Sequence, residues 1–194
     1  VGCREAIVAK FPPLNRFLTG YDLKHCYDPD ADTIDLSRLL AGSEGTLAFV
    51  CEAKLNLTKI PAHKVLVNVK YDDFFAALRH APALVKAQAT SVETIDSHVL
   101  ELARQDIIRH QVAEQLQDVP ERPMKGINMV VFTALEAQEL DQKVASLCAA
   151  LDDLMQTAAD SGVIGYQICS DAASISTIYA MRKKSVGLLG ATKG

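Results

Sequence analysis

From His63 to the end of the chain, the spacing of hydrophobic residues switches repeatedly between two periods, which constrains the fold more than any other feature. In KVLVNVKY (64–71), Val65, Val67 and Val69 alternate with other residues, as in a half-buried strand. Three later segments are predicted as strands on similar grounds: SVETI (91–95), INMVVFTA (127–134) and VIGYQICS (163–170). Segments with helical spacing separate these strands.

The helical segment between the third and fourth predicted strands has the clearest pattern. Its apolar residues are separated by steps of four and three, which places them on one face of a helix: Leu140, Val144, Leu147, Leu151 and Leu154. Thr133 and Glu136 have the spacing of a capping box at its start, and Ser161 and Gly162 are typical of its end. The sequence therefore predicts one long amphipathic helix here.

Three further helices are predicted. The first follows Asp72 as its N-cap, and the second covers 97–117, with Asp96 or Ser97 as its N-cap. The last runs from Ala172 to about Leu189, with Asp171 as its N-cap.

This order of elements predicts an α+β fold. Strand, helix, strand, helical insertion, strand, helix, strand is the split βαβ arrangement of a ferredoxin-like antiparallel sheet, for which we expect helices on one face. A change in composition near Ile60 and Pro61 separates this part from short elements and turn signals upstream. We therefore divide the chain into two regions, 1–60 and 61–194.

Charge and composition limit the partners of the chain. Of its 194 residues, 49% are hydrophobic and 23% are charged, with a formal net charge of -4. An acidic chain of this kind has no overall attraction for nucleic acid or an anionic membrane. It also lacks a signal peptide and an apolar run of the roughly 20 residues that cross a bilayer. We expect a cytoplasmic protein, with peripheral contact at the inner membrane left open.

The cysteines and histidines give no sign of a metal centre. The five cysteines are scattered without a CxxC pair, and the five histidines lack HxH or HxxxH spacing. No Ser-His-Asp or Cys-His arrangement suggests hydrolysis. We therefore predict no metal ligand in this chain.

The turn GSEGT (42–46) is the first candidate site. Gly42 and Gly45 allow positive φ and a close approach of the backbone to a ligand, while Ser43 and Thr46 supply hydroxyl groups around Glu44. Taken alone, such a motif is more often a tight turn before a strand, and a cofactor loop is the alternative.

Arg182 is the second candidate. It shares helical spacing with four apolar residues of the last predicted helix: Ile175, Ile178, Val186 and Leu189. An arginine on such a stripe either snorkels, forms a salt bridge, or binds a carboxylate with its planar fork. Residues 172–194 contain three lysines besides Arg182 and no acidic residue, so a dicarboxylate would meet a local positive field.

The segments around both candidates resemble a known family. NRFLTGYDLKH (15–25) and DPDADTIDLSRLLAGSEGTLAFVCEAKLNLTKIP (28–61) resemble the end of the PCMH-type FAD-binding domain of vanillyl-alcohol oxidase and p-cresol methylhydroxylase type flavoproteins. VLVNVKYDDFFAALRHAPALVKAQATSVETIDSHVL and IYAMRKKSVGLLG continue the resemblance downstream. It is nearest to large bacterial enzymes that look like D-2-hydroxyglutarate dehydrogenases, in which an iron–sulfur domain follows.

The resemblance implies FAD as the cofactor and a role for each candidate. Region 1–60 would be the C-terminal part of the FAD-binding domain, and region 61–194 the first part of the substrate-binding domain. Arg182 matches an arginine that holds the substrate carboxylate. The residues implied to lie beside FAD are Gly42, Ser43, Glu44, Gly45 and Thr46, with the backbone near Phe49 approaching the flavin and Gly20 and Tyr21 in an adjoining loop.

The same resemblance implies that several parts lie outside this chain. The family's acid/base histidine, its metal-binding histidines and its pyrophosphate loop belong to motifs absent here, so we expect an internal fragment with no catalytic residue of its own. An iron–sulfur cluster and an electron acceptor would also lie elsewhere. The implied reaction is oxidation of a D-2-hydroxy acid, with D-2-hydroxyglutarate favoured over D-lactate or glycolate. A non-catalytic ferredoxin-like binding or assembly module is the alternative, and homo-oligomerisation is left open.

Overall fold

The computed structural model describes residues 2–12, 20–105, 119 and 122–191. The chain divides into two compact units, Val1–Thr58 and Lys59–Gly194, and each is described separately. The elements of the first unit are short: helix α1 (Arg4–Lys10), strands β1 (Tyr27–Asp28) and β2 (Thr33–Ile34), and helix α2 (Ser37–Ala41). β1 and β2 pair as a two-stranded antiparallel sheet.

The second unit is built on a four-stranded sheet. Its described elements are β3 (His63–Tyr71), α3 (Phe74–Lys86), β4 (Ser91–Asp96), α4 (Ser97–Gln105), β5 (Gly126–Ala134), α5 (Ala137–Thr157), β6 (Val163–Cys169) and α6 (Ala172–Ala191). The strand order is β4-β5-β3-β6, and every neighbouring pair is antiparallel. The predicted fold class is confirmed, because this is the strand order of a split βαβ, ferredoxin-like sheet.

Helices cover both faces of this sheet. α3 and α5 pack on one face, around a core that includes Val67, Phe132 and Leu151. α4 and α6 pack on the opposite face, around Leu66 and Met129. The sequence led us to expect helices on one face only, whereas the central strands β3 and β5 are buried on both sides and so carry apolar residues at successive positions.

The start of α3 differs from the prediction by one residue. Asp73 is its N-cap, and the Asp73 carboxylate accepts hydrogen bonds from the backbone N–H groups of Phe75 and Ala76. The predicted cap, Asp72, instead accepts a hydrogen bond from Arg122 Nε at 2.9 Å. Asp72 thereby connects the end of β3 to the segment that leads into β5.

α5 packs through the stripe that the sequence predicts, with Leu140, Leu147 and Leu151 buried. The predicted capping box is wrong, however. Thr133 belongs to β5, where its hydroxyl lies 2.9 Å from the Thr90 hydroxyl, and Glu136 makes no side-chain cap. The long-range pairing of Thr133 within the sheet therefore overrides its local spacing.

α4 and α6 begin at the caps that the sequence predicts. The Val99 N–H donates to Asp96 Oδ1 at 2.9 Å, and the Ser174 N–H donates to Asp171 Oδ1 at 2.8 Å. The rest of this predicted helix, 106–117, lies outside the described residues. Across the described parts of the chain, no helix combines the length and the apolar character needed to span a membrane.

Candidate functional site

The GSEGT turn begins where α2 ends, at Gly42. The Ser43 N–H and hydroxyl both donate to the Leu40 carbonyl oxygen, at 3.2 and 2.9 Å. The Thr46 N–H and hydroxyl donate in turn to the Ser43 carbonyl oxygen, at 2.9 and 2.6 Å. The two hydroxyl groups that the sequence offers to a ligand therefore close the turn itself.

The tip of this turn presents backbone amides. Glu44 and Gly45 have positive φ values of 49° and 80°, and with the hydrogen bond from the Thr46 N–H this matches a type I′ turn. Among the residues that the structure describes, the N–H groups of Glu44 and Gly45 have no hydrogen-bond partner. Both residues are exposed, so the turn can donate two hydrogen bonds to an oxygen-rich ligand.

The segment containing Gly20 and Tyr21 passes directly against Gly42. A Cβ atom at Gly42 would lie 2.0 Å from the Gly20 carbonyl oxygen and 3.2 Å from Tyr21 Cα. Glycine is therefore required at position 42, because no side chain fits between the two segments. The structure thus brings together two candidate segments that are about twenty residues apart in sequence. Phe49 does not join them, since its side chain is 91% exposed.

Asp22, which was not predicted as a site residue, supports this arrangement. It is buried, and its carboxylate lies 2.9 Å from His25 Nδ1 and 3.5 Å from Arg38 Nη1 on α2. Asp22 thereby ties the loop that follows Tyr21 to the helix that precedes the GSEGT turn. An acidic residue within the GYDL motif is the only signal that could have indicated it.

Arg182 lies on α6 beside the residues that pack against the sheet, which are Ile175, Ile178 and Met181. Its own side chain is 49% exposed, and its Nε lies 2.7 Å from Glu93 Oε2 on β4. The buried stripe is therefore displaced by one residue from the predicted one, with Met181 in the inward position. Arg182 forms a salt bridge, as one of the sequence alternatives proposed. The side chains of Val186 and Leu189 lie outside the described part of the structure.

Glu93 belongs to a row of residues that crosses the sheet. In the strand register Glu93 pairs with Met129, Met129 with Asn68, and Asn68 with Gln167. Cross-strand partners point to the same face, so these side chains lie on the face covered by α4 and α6. Asn68 is fully buried, and Lys70, two residues along β3, is also buried. This polar row was not predicted from the sequence, although the NVK segment of β3 carries part of its signal.

A second polar network lies on the α3/α5 face. The buried Asn128 Nδ2 donates to the Tyr71 hydroxyl at 3.0 Å and to the Ala77 carbonyl oxygen at 2.9 Å, while Thr94 donates to Asn128 Oδ1 at 2.6 Å. The Tyr71 hydroxyl lies 2.7 Å from His80 Nδ1, to which it can donate. Burial raises the pKa of Tyr71 and lowers the pKa of His80, so both groups are neutral near pH 7.

An open cavity of about 620 Å³ lies at the start of α6 in the second unit. Its lining includes Lys64, Ser170 and Tyr179, and the Lys64 Nζ lies 4.4 Å from the centroid of the Tyr179 ring. Arg182 and Glu93 do not line it. Within the described ranges, no group of three or more His, Cys, Asp or Glu residues could hold a metal ion.

These features define a class of protein before any comparison. The chain combines an α+β domain, whose sheet is covered by helices on both faces, with a glycine-rich turn that has unpaired backbone amides. The α+β domain also carries an accessible arginine. Both features suit a small, oxygen-rich ligand. Residues 60–194 match the family described as FAD linked oxidases, C-terminal domain, and the chain belongs to this family. The resemblance seen in the sequence is thereby confirmed.

The chain is also similar to proteins named D-2-hydroxyglutarate dehydrogenase. It is 55% identical to the one from Pantoea ananatis (strain AJ13355) over 191 residues, which cover 98% of this chain and 19% of that protein. The identity is 53% to the protein from Escherichia coli (strain K12), with the same coverage. It is 45% to the protein from Pseudomonas putida, over 98% of this chain and 18% of that protein. The chain thus spans about a fifth of the length of these relatives.

Proposed function

We propose that this chain forms part of an FAD-dependent enzyme that oxidises a D-2-hydroxy acid, with D-2-hydroxyglutarate as the favoured substrate. The proposal is carried by the 45% to 55% identity to D-2-hydroxyglutarate dehydrogenases over 98% of the chain. Because the chain covers only 19% of the Pantoea ananatis protein, we also propose that it acts within a longer polypeptide.

The glycine turn has properties that suit a flavin-binding loop. The unpaired amides of Glu44 and Gly45 can donate to a carbonyl or phosphate oxygen of the cofactor. When bound, FAD would supply the acceptor for the hydride that leaves C2 of the hydroxy acid. The residues proposed to lie beside FAD are Gly42, Ser43, Glu44, Gly45 and Thr46, with Gly20 and Tyr21 in the adjoining loop and the backbone near Phe49.

Arg182 is proposed to hold a carboxylate of the substrate. Its side chain is accessible, and a guanidinium can form two parallel charge-assisted hydrogen bonds with one carboxylate. Lys183, the next residue on α6, is also exposed and adds to the local positive field. Holding the substrate at a fixed position and orientation is the contribution of this chain to the rate.

The remaining parts of the reaction are assigned to the rest of the longer polypeptide. The base that removes the hydroxyl proton, an iron–sulfur cluster and the electron acceptor are all proposed to lie outside residues 1–194. The isolated chain should therefore neither turn over substrate nor retain FAD. We place the enzyme in the cytoplasm, and peripheral contact with the inner membrane is compatible with this proposal.

The test is to purify the full-length protein and to mix it with substrates under anaerobic conditions. We expect a bound flavin whose absorption is bleached by D-2-hydroxyglutarate. Preferential bleaching by D-lactate or glycolate would retain the class of reaction and change the substrate. A colourless protein that does not take up added FAD would contradict the proposal and favour a ferredoxin-like binding or assembly module.

A further inference from the structure

Glu93 contacts the arginine that is assigned to the substrate, and neither the sequence nor the comparisons gave it a role. We propose that Glu93 is a positioning residue, which holds Arg182 through Nε so that its two Nη groups are presented to the substrate carboxylate. This inference rests on the proposed function and deepens it.

The atoms in contact are the main support for this role. Glu93 Oε2 lies 2.7 Å from Nε of Arg182. A guanidinium carries five N–H donors in a rigid fork, so a carboxylate on Nε can leave the terminal Nη groups free for a second carboxylate. Within the part of the chain that the structure describes, Glu93 is the only carboxylate within 4.0 Å of Arg182. The arginine can therefore bind substrate without first releasing Glu93.

Both partners are anchored by regular structure. Glu93 lies within β4, where its backbone is in register with Met129 of the neighbouring strand. Arg182 directly follows Met181, another residue of α6, whose side chain is almost completely buried against the sheet. A binding group is held most accurately when it and its supporting residue project from packed strands and helices. The salt bridge fixes the one part that packing does not, the long side chain of Arg182.

The exposure of the pair argues against a purely structural role. The Arg182 and Glu93 side chains are 49% and 33% exposed, and exposed ion pairs contribute little to folding stability. Removing Glu93 should therefore change substrate binding more than it changes the stability of the protein.

The sign of the effect separates positioning from simple electrostatics. Loss of a negative charge beside Arg182 would by itself strengthen the attraction for an anionic substrate. The same would hold if Glu93 competed with the substrate for the arginine. Loss of a positioning contact has the opposite effect, because Arg182 would then spread over several rotamers and bind the carboxylate less well.

The experiment uses the full-length flavoenzyme and follows flavin reduction by D-2-hydroxyglutarate. We expect Glu93→Ala to raise KM about 10-fold and to leave kcat within roughly twofold, since the carboxylate is held in both the ground state and the transition state. Glu93→Gln should raise KM by only about threefold, because its amide oxygen can still accept a hydrogen bond from Nε. Glu136→Gln removes an exposed charge elsewhere and should match the parent protein.

Several outcomes decide between the alternatives. An unchanged or lower KM for Glu93→Ala would overturn the positioning role while leaving the proposed function intact. If Glu93→Ala does not fold, Glu93→Gln decides in the same way. The double variant Glu93→Ala, Arg182→Ala should bind substrate no more weakly than Arg182→Ala alone, and additive losses would show that Glu93 acts independently. A parent enzyme that no 2-hydroxy acid reduces would overturn both proposals.

Discussion

His80 and Tyr71 show how single residues are coupled inside the α3/α5 face. Tyr71 receives a hydrogen bond from Asn128 and can pass one on to His80 Nδ1, so the network is complete only when the imidazole is neutral. Protonation of His80 would turn the acceptor Nδ1 into a donor and break this arrangement. The residues involved come from three separate elements, β3, α3 and β5, which is why spacing along the sequence could not reveal them.

This coupling predicts a pH dependence of stability. Burial lowers the pKa of His80 below its ordinary value of 6.5, so the unfolded chain binds the proton more readily than the folded chain. The free energy of unfolding should therefore fall as the pH falls below about 6.5, towards the pKa of the folded state. Urea unfolding between about pH 7 and pH 5 should show a smaller decrease for His80→Gln than for the parent protein. An identical decrease in both proteins would contradict this role of His80.

Among the structural elements, those with local causes were predictable from sequence. Alternating valines predicted β3, and apolar residues spaced three and four positions apart predicted the packed face of α5. The position of Arg182 was not predictable in the same way. Ile178 can be followed on a helical stripe by position 181 or 182, and only the packing of α6 on the sheet selects Met181. The pairing with Glu93 depends further on the strand order.

The contact between the GSEGT turn and the Gly20 segment provides a test of the turn. Gly42→Ala would place its Cβ within 2.0 Å of the Gly20 carbonyl oxygen, so one of the two segments must move. If this costs about 1 to 3 kcal/mol in the bound conformation, FAD affinity in the full-length protein should fall by roughly 5- to 150-fold. Flavin content and FAD titration measure this loss. Gly2→Ala is the matched control, since nothing lies within 4 Å of its Cβ position, and equal flavin binding by both variants would contradict the proposed role of the turn.

The two units of the molecule differ in the way their apolar residues are used. The second unit buries its large side chains on both faces of the sheet. In the first unit and the segment that follows it, large apolar side chains stay exposed, including Phe49, Leu55 and Leu57. Exposed, alternating apolar residues of this kind are expected where another part of the polypeptide would cover them. This pattern agrees with the proposed longer polypeptide.

Hydrogen exchange tests this difference across the whole chain. Residues 47–61 are exposed, and in the part of the chain that the structure describes they make no backbone hydrogen bond. Their amides should exchange far faster in the isolated chain than those of β3 and β5. Each of these two strands lies inside the sheet and pairs with a neighbouring strand on both sides. In the full-length protein the same amides should become protected. Strong protection of residues 47–57 in the isolated chain would instead indicate that copies of the chain associate through this segment.

The most direct measurement of the central claim is the substrate dependence of flavin reduction in Arg182→Ala. If Arg182 holds a carboxylate of D-2-hydroxyglutarate, kcat/KM in the full-length enzyme should fall by roughly 10- to 1000-fold, which corresponds to about 1.5 to 4 kcal/mol for a charge-assisted contact. Lys183→Ala removes the same charge from the neighbouring residue and should change kcat/KM by less than about threefold. Arg182→Ala with the kinetics of the parent enzyme would contradict the assignment of this chain as the substrate-binding part of a hydroxy acid dehydrogenase.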